Sequence, residues 1–170
     1  MQAKDNESDV RKKVEEAVEK KAAYGEDLDL DKYAEGSHDI APVKNLNELD
    51  DDAKRTMIAA GVVPSEENRS GSFLLMDDSV IHSSMKTQGV EVMAVSKALE
   101  KHGWLKDYYW KAVAPDADKY TARTYLEEAD GYFVRTLPGA KVKAPVQTCL
   151  MLKNKSIAQT VHNVIIVEEG

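Results

Sequence analysis

Residues 131–170 read GYFVRTLPGAKVKAPVQTCLMLKNKSIAQTVHNVIIVEEG. The stretch divides into β-prone runs at Tyr132–Leu137, Lys141–Val142, Val146–Lys153 and Ile157–Val167. Turn residues separate them at Pro138-Gly139, Pro145 and Asn154-Lys155-Ser156. The last run ends in Val164-Ile165-Ile166-Val167. A long apolar strand there predicts an open sheet edge, which a partner or further polypeptide would have to cover.

Upstream, the pattern changes from period two to helical spacing. A helix is predicted over Asp9–Tyr24, capped by Ser8 and stopped by Gly25, with Val10, Val14, Ala17, Val18 and Ala22 as its apolar stripe. So thin a stripe needs a partner surface. Glu26–Asn45 reads as an irregular acidic connection. A second helix is predicted over Asp51–Ala60, between an Asp50 cap and Gly61. Strands are predicted at Ser72–Met76 and Val80–His82, broken at Asp77-Asp78, and again at Val90–Met93. Helices are predicted over Ser96–His102 and over Ala117–Glu128 with Asp116 as cap. The aromatic run Trp104–Val113 lies between them, and a helix would pair Trp104 with Tyr108 and Leu105 with Tyr109. Three regions result: 1–44, a helix and acidic linker; 45–130, a mixed α/β domain; and 131–170, a strand-rich core.

The chain has 170 residues and a formal net charge of −7. It lacks the basic footprint of a nucleic-acid binder. No apolar run exceeds four residues and the first twenty-one residues lack an apolar signal core, so the expectation is a cytoplasmic protein outside the membrane. Charge is segregated. Residues 26–52 hold ten acids against Lys32 and Lys44, whereas 131–167 hold no acid and five cations. This reads as a solvated acidic linker beside a sheet kept soluble by lysines, or as a steering pair for docking.

A search for catalytic or binding motifs mostly excludes. Phosphate-cradling and dinucleotide glycine patterns are absent, as are paired cysteines and His-Glu-x-x-His. Asp27, Asp29 and Asp31 begin like a calcium loop, but Lys32 and His38 stand where it needs Gly and a bidentate Glu. No catalytic residue, cofactor site or metal site is expected, with Cys149 and His162 as the two weak candidates. If their strands paired as a hairpin about Asn154-Lys155-Ser156, a thiolate and an imidazole would meet, able to bind a soft metal or accept sulfur. As side chains of ordinary strands, they are instead a small buried hydrophobe and a hydrogen-bonded histidine.

The segment Gly131-Tyr-Phe-Val-Arg-Thr-Leu-Pro-Gly-Ala-Lys-Val-Lys-Ala-Pro-Val-Gln-Thr-Cys149 resembles the Gly-x-Phe-Val-x-x-Pro-x-Gly-Val-x-Val-x-x-Pro-Leu-Gln-Thr segment of the SufB/SufD family. Its continuation, Gln159 to Gly170, is similar to that family's following stretch. Val90-Glu-Val-Met, Trp104-Leu-Lys-Asp-Tyr-Tyr and Pro115-Asp116 through Lys119-Tyr120 resemble its N-terminal region in order and spacing. Arg69-Ser-Gly-Ser-Phe resembles the shorter, archaeal-type members.

The resemblance implies an α+β fold: an N-terminal helical and mixed region followed by the first rungs of a right-handed parallel β-helix, as in a truncated form of the scaffold. It implies a component of the SUF iron–sulfur assembly scaffold, acting by protein–protein docking and not as an enzyme. The family's partners would be a SufC-like ABC-type ATPase and another SufB/SufD subunit, with homo-oligomerisation through the exposed β-helix edge a further route. An iron–sulfur cluster is implied for the full-length family complex, and none is expected on this chain. The other reading is a small independent enzyme with Cys149 as nucleophile and His162 as base.

Overall fold

The computed structural model describes residues 7–36 and 39–169, so His38 of the rejected calcium loop and Gly170 lie outside the described residues. The fold turns on the apolar run Phe73–Met76. It lies in β2 (Gly71–Met76), every residue of which is buried. Alternate side chains of a strand face opposite ways, and here both faces are covered. Leu74 and Met76 pack with Ile81 and Met151 against Leu46, Leu49, Ala53 and Met57. The last two belong to α2 (Asp51–Ala59), which Asp50 caps by accepting from Ala53 N at 2.7 Å. Phe73 and Leu75 face the other way, onto Val90, Val92 and Ala94 of β4 (Val90–Ala94).

Two three-stranded sheets therefore pack face to face. In the first, β2 pairs antiparallel with β3 (Ser79–Met85) and parallel with β6 (Val146–Met151). In the second, β5 (Tyr132–Thr136) lies between β4, antiparallel, and β8 (Val164–Val167), parallel. The outer face of the second sheet carries Phe133, packed on Val95, Ala98 and Leu105. These come from α3 (Val95–Lys101) and a 3-10 turn over Gly103–Asp107. A parallel pair of two-residue strands, β1 (Ala34–Glu35) and β7 (Ile157–Ala158), sits apart. To one side, α1 (Glu7–Ala17) lays Val14 and Ala17 on Ala122 of α4 (Lys119–Leu126), the partner its thin stripe requires. No helix among the described residues is long and apolar enough to cross a membrane.

The expected β-helix is not there. A solenoid rung stacks on the next rung of its own repeat, but among the described strands of 131–170 only β5 and β8 pair with each other, while β6 joins β2 and β7 joins β1. The antiparallel β2/β3 and β4/β5 pairs are foreign to a parallel coil. The fold is a small mixed α/β domain. The sequence supplied strands and turns, and the already apolar β2 and β4 decided where those strands went.

Smaller differences have local causes. The predicted strand Ile157–Val167 is split because polar side chains capture its middle. Gln159 Nε2 donates to the carbonyls of Asp77 and Met151, and Asn163 Oδ1 accepts from Tyr132 N at 3.1 Å. The first helix ends at Ala17, and the next turns leave it because Ala23 N donates to the Asp118 carboxylate at 3.0 Å. Asp118, not Asp116, caps α4, in a reciprocal box with Thr121. The aromatic run forms the 3-10 turn and then bends at Trp110, whose φ of 56° is left-handed.

Candidate functional site

The two residues singled out from sequence are drawn to different layers. Cys149 lies on β6, directly across from Leu74, half-buried against the cluster under α2. Burial pushes its thiol pKa up, which disfavours the thiolate a nucleophile or soft-metal ligand needs. His162 lies in the link between β7 and β8. Its ring stacks on Tyr109 at 4.4 Å between centroids and leans on Trp110 at 4.0 Å, while Trp110 meets Tyr125 edge-on at 5.7 Å. Burial lowers the imidazole's pKa, and its buried Nδ1 has no hydrogen-bond partner among the described residues. The His162 carbonyl passes so close to Gly131 that a Cβ there would collide with it.

The hairpin that would have joined Cys149 to His162 does not form, because β6 pairs with β2 and the chain after it pairs with β1 and β5. Native Cys149 should accordingly react slowly with iodoacetamide at pH 7.5 and rapidly once urea unfolds the chain. Fast alkylation of the folded protein would contradict a half-buried thiol with a raised pKa.

Two polar clusters escaped the sequence reading. In the first, Glu66 accepts from Ser84 Oγ, sits 3.0 Å from His82 Nε2 and 3.1 Å from Lys86 Nζ, while His82 Nδ1 faces the Val43 carbonyl at 3.1 Å. The signal was the period of two, which sets His82, Ser84 and Lys86 along one side of the strand and its end. Serine, histidine and glutamate together suggest a hydrolase, but here the carboxylate is central. The Ser84 hydroxyl bonds Glu66 and not His82, and a carboxylate brought down to a pKa of about 2 is too weak a base to activate it. The cluster instead ties the loop around Glu66 to β3 and to Val43.

Burial raises the Glu66 pKa, but the hydrogen bonds from Ser84, His82 and Lys86 outweigh it and bring the carboxyl from 4.5 down to about 2. A pKa depressed on folding adds stability above the unfolded value and loses it as pH falls between the two. Stability should therefore decline as pH drops from about 4.5 toward about 2. Glu66→Gln should cost about 2 kcal/mol at pH 7 and weaken that acid limb in urea titrations. An unchanged acid limb would show that the carboxylate is not held this way.

The second cluster centres on Glu91, which is 8% exposed and pairs across strands with Arg135. Its carboxylate meets Lys101 at 2.5 Å, His102 at 3.1 Å and Arg135 at 3.4 Å. Arg135 also holds Glu168 at 2.7 Å and covers the Trp104 ring at 4.7 Å. Burial raises the Glu91 pKa, and the Lys101 hydrogen bond with the surrounding cations overcomes this to lower it. This cluster pins α3 and the residues after β8 onto the second sheet. Among the described residues no group of three or more His, Cys, Asp and Glu side chains is placed to hold a metal ion.

The remaining surface feature is apolar. The strand β8 is an edge of its sheet, with Val164 and Ile166 turned to the α3 side and Ile165 and Val167 left 60% and 77% exposed. Beside it a cavity of about 500 Å³ runs between Trp110, Val113, His162 and Ile166. The site is thus an exposed edge with an aromatic groove, which suits contact with another polypeptide better than bond-breaking.

No protein-family model matches the chain. It is 44% identical over 169 residues to an iron-sulfur cluster assembly SufBD family protein of Methanothermobacter thermautotrophicus, covering 95% of this chain and 41% of the relative. A protein of the same name from Archaeoglobus fulgidus is 44% identical over 117 residues, 69% of this chain and 31% of its own. More distantly, the iron-sulfur cluster assembly protein SufB of Bacillus subtilis is 23% identical over 156 residues, 86% of this chain and 34% of its own. Over most of its length the chain is thus 42–44% identical to proteins named for the SufBD family. It spans about two fifths of the length of the first of them.

Proposed function

We propose that the chain takes part in iron–sulfur cluster assembly in the cytoplasm, as a docking component of a SufBD-type scaffold and not as an enzyme. The observation that carries this reading is 44% identity over 95% of the chain to a protein named for that assembly and family. The apolar edge at β8 supports docking, since a bare strand with exposed Ile165 and Val167 binds by strand pairing and apolar burial. The partner is a second SufB/SufD-type subunit, and a SufC-like ABC-type ATPase joins through parts of the scaffold other than this chain. The cluster is cargo, held by residues elsewhere in the complex. The Cys149 enzyme is the weaker reading, because its thiol is half-buried with a raised pKa and its intended base lies in another layer.

Size-exclusion chromatography of the chain mixed with a full-length SufBD relative tests this. Co-elution is expected, and it should be lost when Ile165 and Val167 are both changed to lysine. The chain and the ATPase alone should elute separately. Separate elution from the SufBD relative, or tight binding to the ATPase alone, would overturn the proposal.

A further inference from the structure

The acidic segment after α1 is not a free linker. From Ala22 to Lys32 it wraps α4 as a strap, yet none of its residues is buried. Six contacts hold it. Asp118 accepts from Ala23 N at 3.0 Å. The Tyr120 hydroxyl donates to the Glu26 carbonyl at 2.7 Å and accepts from Leu28 N at 2.9 Å. Lys119 Nζ reaches the Leu28 carbonyl and lies 2.6 Å from the Asp27 carboxylate. Arg123 donates to the Leu30 carbonyl at 3.2 Å.

Five of these six contacts read the strap's main chain, and only Asp27 contributes a side chain. The side chains of α4 and its cap therefore form a receptor for a bent segment carrying a carboxylate, turned at Gly25 and ending in the 3-10 turn Leu30–Lys32. Alongside the strap lies a cavity of about 580 Å³ onto which Lys20, Lys21, Lys119 and Arg123 open, together with Glu19 and the strap's own Asp27, Asp29 and Asp31. The strap is held by polar contacts: those of Tyr120 and the Lys119–Leu28 bond are exposed, individually weak and screened by salt, while those of Asp118 and Arg123 are partly buried. Such segments open locally well below the cost of global unfolding.

We propose that the strap is an autoinhibitory contact: it fills in cis a face of α4 that accepts an acidic, similarly bent segment of a partner protein, and it yields that face by competition. An occupied receptor binds its partner with an affinity reduced by the fraction of time it is free. Loosening the strap should therefore strengthen binding in trans. This inference is independent of docking at β8.

The test uses a fluorescein-labelled peptide with the sequence of residues 22–33, read by anisotropy against the full chain. The variant Asp27→Asn should bind it about ten-fold tighter than the native chain. Binding should weaken about ten-fold between 50 and 300 mM salt, and Lys119→Glu should abolish it. Hydrogen exchange in the same variants should show Ala23 and Leu28 exchanging faster in Asp27→Asn while β2 and β5 amides stay protected, which separates strap release from unfolding. Equal affinity of native and Asp27→Asn proteins, no binding by either, or binding indifferent to Lys119→Glu would overturn the proposal.

Discussion

Replacing Phe133 by alanine is expected to lower the free energy of unfolding by about 4 kcal/mol in urea titrations followed by tryptophan fluorescence. Phe133 is fully buried on the central strand of the second sheet, against Val95, Ala98 and Leu105, with its ring 5.8 Å from His102. Its removal opens a cavity between β5 and α3 that neither rigid layer can collapse to fill, so a transfer loss and a cavity term add. Domains of this kind are stable by roughly 5–15 kcal/mol, so the variant should sit near the limit of folding. Phe133→Leu should recover more than half of the loss. A loss below about 1 kcal/mol would mean that α3 does not pack on this sheet.

The second large effect is expected at Asp77. This fully buried residue turns the chain between β2 and β3 with a left-handed φ of 49°. Its carboxylate accepts from Lys153 N at 2.8 Å and from Asn154 Nδ2 at 3.3 Å. Its own N–H donates to the Met151 carbonyl at 2.8 Å, and its carbonyl accepts from Gln159. One residue thus fastens the whole connection from β6 to β7. Asp77→Ala strands the Lys153 amide and puts a Cβ-bearing residue with no local hydrogen bond in the left-handed region. Together these should cost about 3 kcal/mol. Asp77→Asn keeps an acceptor and tolerates that conformation, so it should cost about 1 kcal/mol. Equal losses in the two variants would assign the effect to charge and not to the acceptor geometry.

Asp77 also shows where sequence reasoning works and where it stops. Two acids between two apolar runs marked a break, and the hairpin is there, as is α2 with Asp50 as its cap. Those are local signals, each decided by neighbouring residues. The same is true of the family resemblance in residues 131–170, which extends over most of the chain. What the sequence did not reveal was pairing over distance. Val146–Met151 reads equally well as a strand beside its sequence neighbours or, as it turns out, parallel to β2 more than seventy residues earlier. The β-helix expectation failed at that step, and the proximity of Cys149 and His162 failed with it. Glu66 and Glu91 were invisible for a related reason. Each carboxylate lies on a different element from its partners, so only the tertiary fold brings either cluster together.

The proposed role rests on this polypeptide offering a surface while other parts of the assembly handle iron and sulfur. Anaerobic reconstitution of the isolated chain with ferrous iron and sulfide, followed by desalting and assay of bound iron and acid-labile sulfide, tests that most directly. The account predicts background levels of both on the chain alone. Stoichiometric iron and sulfide on the isolated chain would contradict it.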